Sequence, residues 1–123
     1  MTKRVLDVGQ CVPDHAAIRR LIEQNFSAVV DQAHDLHGTL QALRQHTYDL
    51  ILINRKLDID YSDGMEILQE LQADAELSRI PVMLVTNFPE YQRAAMEAGA
   101  VQGFGKDELR QPQTVGLLKT YLG

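Results

Sequence analysis

Asn54 is the polar residue best placed to take part in chemistry in this 123-residue sequence. It directly follows residues 50–53, which read Leu-Ile-Leu-Ile. A short, continuous apolar run of this kind is typical of a strand that is buried on both faces. In open α/β sheets, ligands and reacting groups lie at the carboxyl ends of the strands. Asn54 is therefore expected at a functional edge, where an amide can form hydrogen bonds but is a poor nucleophile.

Polar residues also follow three of the other apolar runs. Gly9 and Gln10 come after the first run, Thr86 after the fourth and Lys106 after the fifth. Parallel strands would bring these residues and Asn54 to one crevice at the edge of a sheet. The sequence contains no evident nucleophile–base pair and no phosphate-binding glycine loop, so an enzyme is the least expected class.

The elements that position these residues alternate along the chain. Apolar runs predict strands at residues 4–8, 28–30, 48–54, 80–86 and 101–106. Helical spacing of apolar residues predicts a helix after each strand, including helices at 89–98 and 109–122. This alternation predicts an α/β fold, a doubly wound, five-stranded parallel sheet of the (βα)5 flavodoxin-like type, with right-handed crossovers. We expect a single domain over residues 1–123.

Composition narrows the function classes. The net charge is −5, from 12 basic and 17 acidic residues, and neither sign forms a long block, so we expect no nucleic-acid binding by this domain. Cys11 is the one cysteine, which excludes an intramolecular disulfide and fits a reducing compartment. We see no leader and no apolar run near the roughly 20 residues that a membrane span needs. A cytoplasmic location without membrane contact is expected.

Taken in order, these features resemble the receiver domain of bacterial two-component response regulators. The resemblance rests on IPVMLVTN, which contains Thr86, on EAGAVQGFGK, which ends at Lys106, and on DLILIN, followed by a loop and Asp63-Gly64. It extends over nearly the whole chain. It implies the flavodoxin-like receiver architecture and a role in two-component signalling or a phosphorelay.

The resemblance also assigns roles to positions. Receivers phosphorylate an aspartate at the end of the third strand and hold Mg²⁺ with an acidic pair after the first strand. A threonine or serine and a lysine contact the phosphoryl oxygens. Here Asn54 occupies the phosphoacceptor position and Gly9 and Gln10 occupy the acidic pair, whereas Thr86 and Lys106 are retained. This implies an atypical pseudo-receiver in which Mg²⁺ binding is lost or weak, with no other cofactor. Asn54 could accept a hydrogen bond from Lys106.

The relay and the partner surface are also assigned by the resemblance. The family's switch aromatic lies three residues before the lysine, where this chain has Gly103. Partners of receivers bind the face formed by the fourth helix, the fifth strand and the fifth helix. Phe88, Tyr91 and Phe104 are the candidate residues on that face. The implied partner is a protein, namely a kinase, an effector or a second copy in a homodimer.

Acidic residues outside the expected positions have two interpretations. The loop after the third strand contains Asp58, Asp60 and Asp63, which could serve as substitute acceptors or metal ligands. Asp7 lies within the first apolar run, where a buried charge is costly without a partner. Either that strand end is partly open, or Asp7 pairs with a base such as Arg4 or Lys106.

The leading hypothesis is a receiver-like signalling module that works through protein–protein contacts without conventional aspartyl phosphorylation. One alternative is a regulator phosphorylated on a substitute acid in the loop at 58–63. Another is a small-ligand sensor, with Gln10, Asn54, Thr86 and Lys106 lining a neutral pocket.

Overall fold

The computed structural model describes residues 1–123 and contains five strands and five helices in alternation. The strands are β1 (Lys3–Val8), β2 (Ala28–Ala33), β3 (Leu50–Asn54), β4 (Val82–Val85) and β5 (Val101–Phe104). The helices are α1 (Val12–Asn25), α2 (Leu36–Gln45), α3 (Met65–Gln72), α4 (Pro89–Glu97) and α5 (Pro112–Leu122). Two short 3₁₀ turns, Leu77–Arg79 and Lys106–Glu108, precede β4 and α5. None of the helices is long and apolar enough to cross a membrane.

The strands form one parallel sheet in the order β2-β1-β3-β4-β5. The predicted doubly wound sheet is therefore confirmed. The strand order reverses between β1 and β3, and a crevice opens at the carboxyl ends of the strands on either side of such a switch point. Asn54 ends β3 at this edge.

Both faces of the sheet are covered, which explains the continuous apolar runs. Leu6, Ile51, Ile53 and Leu84 face α2, α3 and α4, while Val5, Leu50, Leu52 and Met83 face α1 and α5. All of these side chains are at most 1% exposed. Each contributes about 1.5–3 kcal/mol through burial, so the centre of the sheet is a rigid support for the residues at its edge.

Several element ends differ from the predicted ones. The last predicted strand was expected to include Lys106, but β5 stops at Phe104 and Lys106 begins a 3₁₀ turn. Glu108 Oε1 accepts a hydrogen bond from Gly105 N at 2.8 Å and closes that turn. The last helix starts at Pro112, not at residue 109, because proline needs no amide partner in a first turn.

Candidate functional site

A cavity of about 200 Å³ lies at the carboxyl ends of β3 and β4. Its lining residues are Asn54, Arg55, Lys56, Val85, Thr86, Asn87, Phe88 and Lys106. The crevice thus brings together Asn54, Thr86 and Lys106, as the sequence predicts. Gly9 and Gln10 do not contribute to this lining.

Asn54 connects two loops. Its Nδ2 donates a hydrogen bond to Gly9 O at 3.1 Å. The same carbonyl accepts from Asp58 N at 2.9 Å. The carbonyl after β1 is therefore shared by β3 and the loop that follows it. The prediction of a hydrogen bond from Lys106 to Asn54 is wrong, because Lys106 Nζ donates to Asp14 instead.

Gly9 has a backbone conformation and surroundings that exclude a side chain. Its φ angle is +81°, in the left-handed region. A Cβ there would overlap the side chain of Leu57 and lie 3.3 Å from Leu57 Cα. Leu57 is only 3% exposed, so the position implied for one member of the acidic pair is covered by an apolar side chain.

The residues at the implied metal position do not fit Mg²⁺. This ion requires hard oxygen ligands in near-octahedral geometry and is usually held by carboxylates. Gly9 supplies only a carbonyl, which already accepts two hydrogen bonds, and Asn54 directs its NH₂ group toward that carbonyl. Gln10 is 1% exposed and its amide has no hydrogen-bond partner in the protein. No carboxylate lines the crevice.

Lys106 forms an ion pair with Asp14, the acidic residue in the first turn of α1, and the Nζ–Oδ2 distance is 2.7 Å. The hydrogen bond from Lys106 lowers the pKa of Asp14. Cys11 Sγ donates to the same carboxylate at 3.1 Å, and this bond raises the pKa of the thiol. Cys11 is therefore a helix-start residue in its thiol form, without the features that activate a cysteine nucleophile.

Asp7 is fully buried, and its partner is His15 of α1, with Nδ1 2.7 Å from Oδ2. Burial raises the pKa of Asp7, and His15 only partly offsets that effect. The prediction that Asp7 pairs with a base is confirmed, but the base is not one of the two named examples, since Arg4 binds Asp31 at 2.6 Å and Lys106 binds Asp14. The alternative prediction, a partly open strand end around Asp7, is wrong because Asp7 is 0% exposed. Asp7 lies on the α1 side of the sheet, because strand residues alternate between faces and Val5 lies there. One signal was available: His15 lies in the first turn of the helix that directly follows β1.

Thr86 is 8% exposed, and its hydroxyl accepts a hydrogen bond from Phe88 N at 3.3 Å. Phe88 is the N-cap residue of α4, so the hydroxyl both lines the crevice and stabilises the start of that helix. Gly103 lies in β5 against the carbonyl oxygen of Leu84, which a Cβ would overlap. The close approach of the two strands therefore leaves no room for a switch aromatic at this position.

The three candidate partner residues have different environments. Phe88 is 56% exposed and meets the Tyr91 ring edge-on at 5.9 Å. The Arg55 guanidinium stacks over the Tyr91 ring at 3.9 Å, a cation–π contact that the sequence did not indicate. The prediction that Phe104 contacts a partner is wrong, because its side chain is 2% exposed and packs in the core beside α1 and α5.

The acids of the loop after β3 do not line the crevice. Asp60 accepts hydrogen bonds from the backbone and hydroxyl of Ser62, and Asp63 Oδ1 accepts from Met65 N at the start of α3. Asp60 and Asp63 line a groove between α2 and α3 instead. Asp58 is exposed, and its backbone amide binds Gly9 O.

The crevice is basic, not neutral. Arg55, Lys56 and Lys106 contribute to its lining, whereas no carboxylate does. The prediction of a neutral pocket that includes Gln10 is therefore wrong. Replacement of acids by neutral groups leaves the basic residues as the dominant charge.

A family model for the response regulator receiver domain matches residues 11–113, which is most of the chain. The chain belongs to the response regulator receiver family. Receiver domains are generally signalling modules of two-component systems and not enzymes. A search of the curated proteins returned no match.

Solved receiver structures have the same fold. CheY4 of Vibrio cholerae, a chemotaxis protein, is 17% identical with a TM-score of 0.78, over 99% of this chain and 100% of that chain. The signal receiver domain of a DNA binding response regulator from Colwellia psychrerythraea 34H is 16% identical, with a TM-score of 0.80 and 96% coverage of both chains. The receiver domain of sensor histidine kinase PA1611 from Pseudomonas aeruginosa is 18% identical, with a TM-score of 0.70, over 98% of this chain and 93% of that chain. The PA1611 receiver has a magnesium ion coordinated in its active site cleft.

Proposed function

We propose that this receiver transmits its signal through protein–protein contacts and is not switched by phosphorylation of an aspartate. The observation that carries the proposal is the hydrogen bond from Asn54 Nδ2 to Gly9 O. The residue at the phosphoacceptor position serves as a structural link between β3 and the loop after β1.

The chemistry of the surrounding residues supports this proposal. An amide forms no acyl phosphate, because it lacks the anionic oxygen that attacks the phosphorus atom. Leu57 covers Gly9, where a metal-binding carboxylate would be needed. Lys106 is already paired with Asp14, so contact with an added phosphoryl group would have to compete with this carboxylate. This chain therefore differs from the receiver pattern at three places together: the phosphoryl acceptor, the metal site and the lysine that would stabilise the phosphoryl charge.

The surface beside α4 is the proposed site of partner contact. Phe88 is exposed and is held against Tyr91, which is itself covered by Arg55. Phenylalanine, tyrosine and arginine are enriched in the buried cores of protein interfaces relative to the rest of the surface. A kinase, an effector or a second copy of the chain, all within the cytoplasm, are the partner classes that fit a receiver.

Phosphoryl analogues test the proposal. We expect that beryllofluoride with Mg²⁺ leaves the amide NMR resonances of Asn54, Thr86 and Lys106 unchanged. A separate titration with Mg²⁺ alone should give no saturable shift at Gly9 or Gln10. Saturable, Mg²⁺-dependent beryllofluoride shifts centred on the crevice would overturn the proposal. Shifts centred on Asp58, Asp60 or Asp63 would support a substitute acceptor instead.

A second candidate function is a sensor of a small anion. The basic residues Arg55, Lys56 and Lys106, with the amide of Asn87 and the hydroxyl of Thr86, line a cavity of about 200 Å³. Inorganic phosphate, titrated against sodium chloride at matched ionic strength, should then give saturable shifts at Thr86 and Asn87. Identical, non-saturating shifts with both salts would exclude this function for phosphate.

A further inference from the structure

The pairing of β4 with β5 is irregular at one point. Met83 pairs with Val101 and Val85 pairs with Phe104, so β5 has one more residue than β4 between the two pairs. An extra residue on one strand is a β-bulge, which disrupts the backbone ladder locally. Leu84 and Gly103 lie at this irregularity.

Gln92 of α4 inserts its side-chain amide at the bulge and is only 7% exposed. Its Nε2 donates to Leu84 O at 2.9 Å and to Thr86 O at 3.3 Å. Its Oε1 accepts from Gly103 N at 2.9 Å. One side chain of α4 is thus hydrogen-bonded to the backbones of both strands.

Gly103 makes this arrangement possible. A Cβ on Gly103 would overlap Leu84 O and would lie 3.1 Å from Gln92 Oε1. A side chain at 103 would therefore collide with the backbone of β4 and would also crowd the Gln92 amide. The two residues form one structural unit, in which the space next to β5 is taken by a polar side chain from α4.

We infer that Gln92 is a clamp that fixes α4 in a single position against β4 and β5. Moving α4 would leave a buried amide and the strand groups at Leu84 and Gly103 without partners, and buried unpaired polar groups are costly. Because Thr86 O is bound as well, the clamp also fixes the residue that begins the connection to α4. A fixed α4 would hold Phe88 and Tyr91 permanently in position for a partner. That consequence rests on the proposed function, whereas the role of Gln92 in fixing α4 does not depend on it.

The wild-type protein allows a direct test by hydrogen exchange. The side-chain amide protons of Gln92 should exchange at least about tenfold more slowly than those of the exposed Gln69, because only the former are buried and hydrogen-bonded. The α4 amides should show no exchange broadening on the microsecond–millisecond timescale. Exchange of the Gln92 side chain as fast as that of Gln69 would overturn the inference.

Variants test the consequence of losing the clamp. Gln92→Leu keeps a side chain of similar size without polar groups, and Arg93→Ala is the matched control at an exposed neighbour on α4. We expect Gln92→Leu to speed exchange of the Gly103 amide by about tenfold or more and to introduce exchange broadening in α4, with no change in Arg93→Ala. An unchanged exchange rate of the Gly103 amide in a folded Gln92→Leu protein would overturn the inference. If the variant does not fold, the exchange rate of the Gln92 side chain in the wild-type protein is the deciding measurement.

The experiments can distinguish a failure of the Gln92 clamp from a failure of the proposed function. Phosphorylation of the wild-type protein with an intact, slowly exchanging Gln92 amide would refute the proposed function and leave the clamp in place. Fast exchange at Gln92 without any phosphorylation would give the opposite result.

Discussion

Lys106 and Asp14 form an ion pair, 2.7 Å from Nζ to Oδ2, that joins the turn after β5 to the first turn of α1. The retained lysine of a receiver crevice is thereby committed to a carboxylate of its own chain. Both side chains are about one-third exposed, so the pair is worth at most about 1 kcal/mol of folding stability. Its main effect is on position: it holds the ammonium group against the start of α1.

Lys106→Met should raise the pKa of Asp14 toward its ordinary value, measurable by NMR of the carboxyl carbon. A carboxylate with a depressed pKa stabilises the fold above its unfolded-state pKa, and this contribution disappears as pH falls through the folded-state value. The stability difference between wild type and Lys106→Met should therefore shrink in acid. Lys119→Met, which removes a lysine with no ion pair, is the control. An unchanged Asp14 pKa in Lys106→Met would contradict the pairing.

The stability of Asp7→Asn relative to that of the wild-type protein should increase as pH rises. The folded-state pKa of Asp7 is raised by burial from 3.8, so the folded protein retains the proton over a pH range where the unfolded chain has lost it. Stability contributed by the protonated carboxyl is complete below 3.8 and is lost as pH rises through the folded-state pKa. Urea unfolding of both proteins across this range gives the difference. The same comparison in a His15→Gln background removes the imidazole that contacts Asp7. A flat difference in both backgrounds would contradict the prediction.

Gly9→Asp should destabilise the protein by about 1–3 kcal/mol, because it places a side chain at a positive φ angle and against Leu57. Gly116→Ala in α5 is the matched control, since a Cβ there meets no neighbouring atom. It should stabilise the helix by about 0.5–1 kcal/mol. A Gly9→Asp protein as stable as wild type would show that the acidic position is open.

Asn54→Asp should lose about 1 kcal/mol of stability, because a carboxylate cannot donate to Gly9 O. It should also fail to become phosphorylated by acetyl phosphate, since Gly9 and Gln10 still provide no carboxylate for Mg²⁺. Asn54→Ala, which removes the same hydrogen bond without adding charge, is the control for stability. Efficient, Mg²⁺-dependent phosphorylation of Asn54→Asp would show that the metal site has been misplaced.

The sheet was predictable because its signal is local. The apolar runs ending at Val8, Ile53 and Val85 have the composition of strands buried on both faces. The order of the elements then determines which polar residues share an edge. The cavity does bring together Asn54, Thr86 and Lys106, whereas Gly9 and Gln10, which the same argument placed in the crevice, do not line it.

Side-chain partners were not predictable in the same way, because they depend on rotamers and on contacts distant in sequence. Lys106 and Asp14 are 92 residues apart, and nothing in either segment selects that pair over Lys106 with Asn54. The bulge that admits Gln92 is a property of the β4–β5 register, which periodicity does not specify. Gln92 does share the buried face of α4 with Ala95, and a glutamine on such a face was the only available signal.

The wild-type protein is expected to form no aspartyl phosphate. Intact mass spectrometry measures this after incubation with acetyl phosphate and Mg²⁺, performed at neutral pH before any acyl phosphate hydrolyses. We predict a single species at the unmodified mass. A Mg²⁺-dependent species heavier by one phosphoryl group, labile to hydroxylamine and mapped to a carboxylate of this chain, would show that the protein is phosphorylated after all.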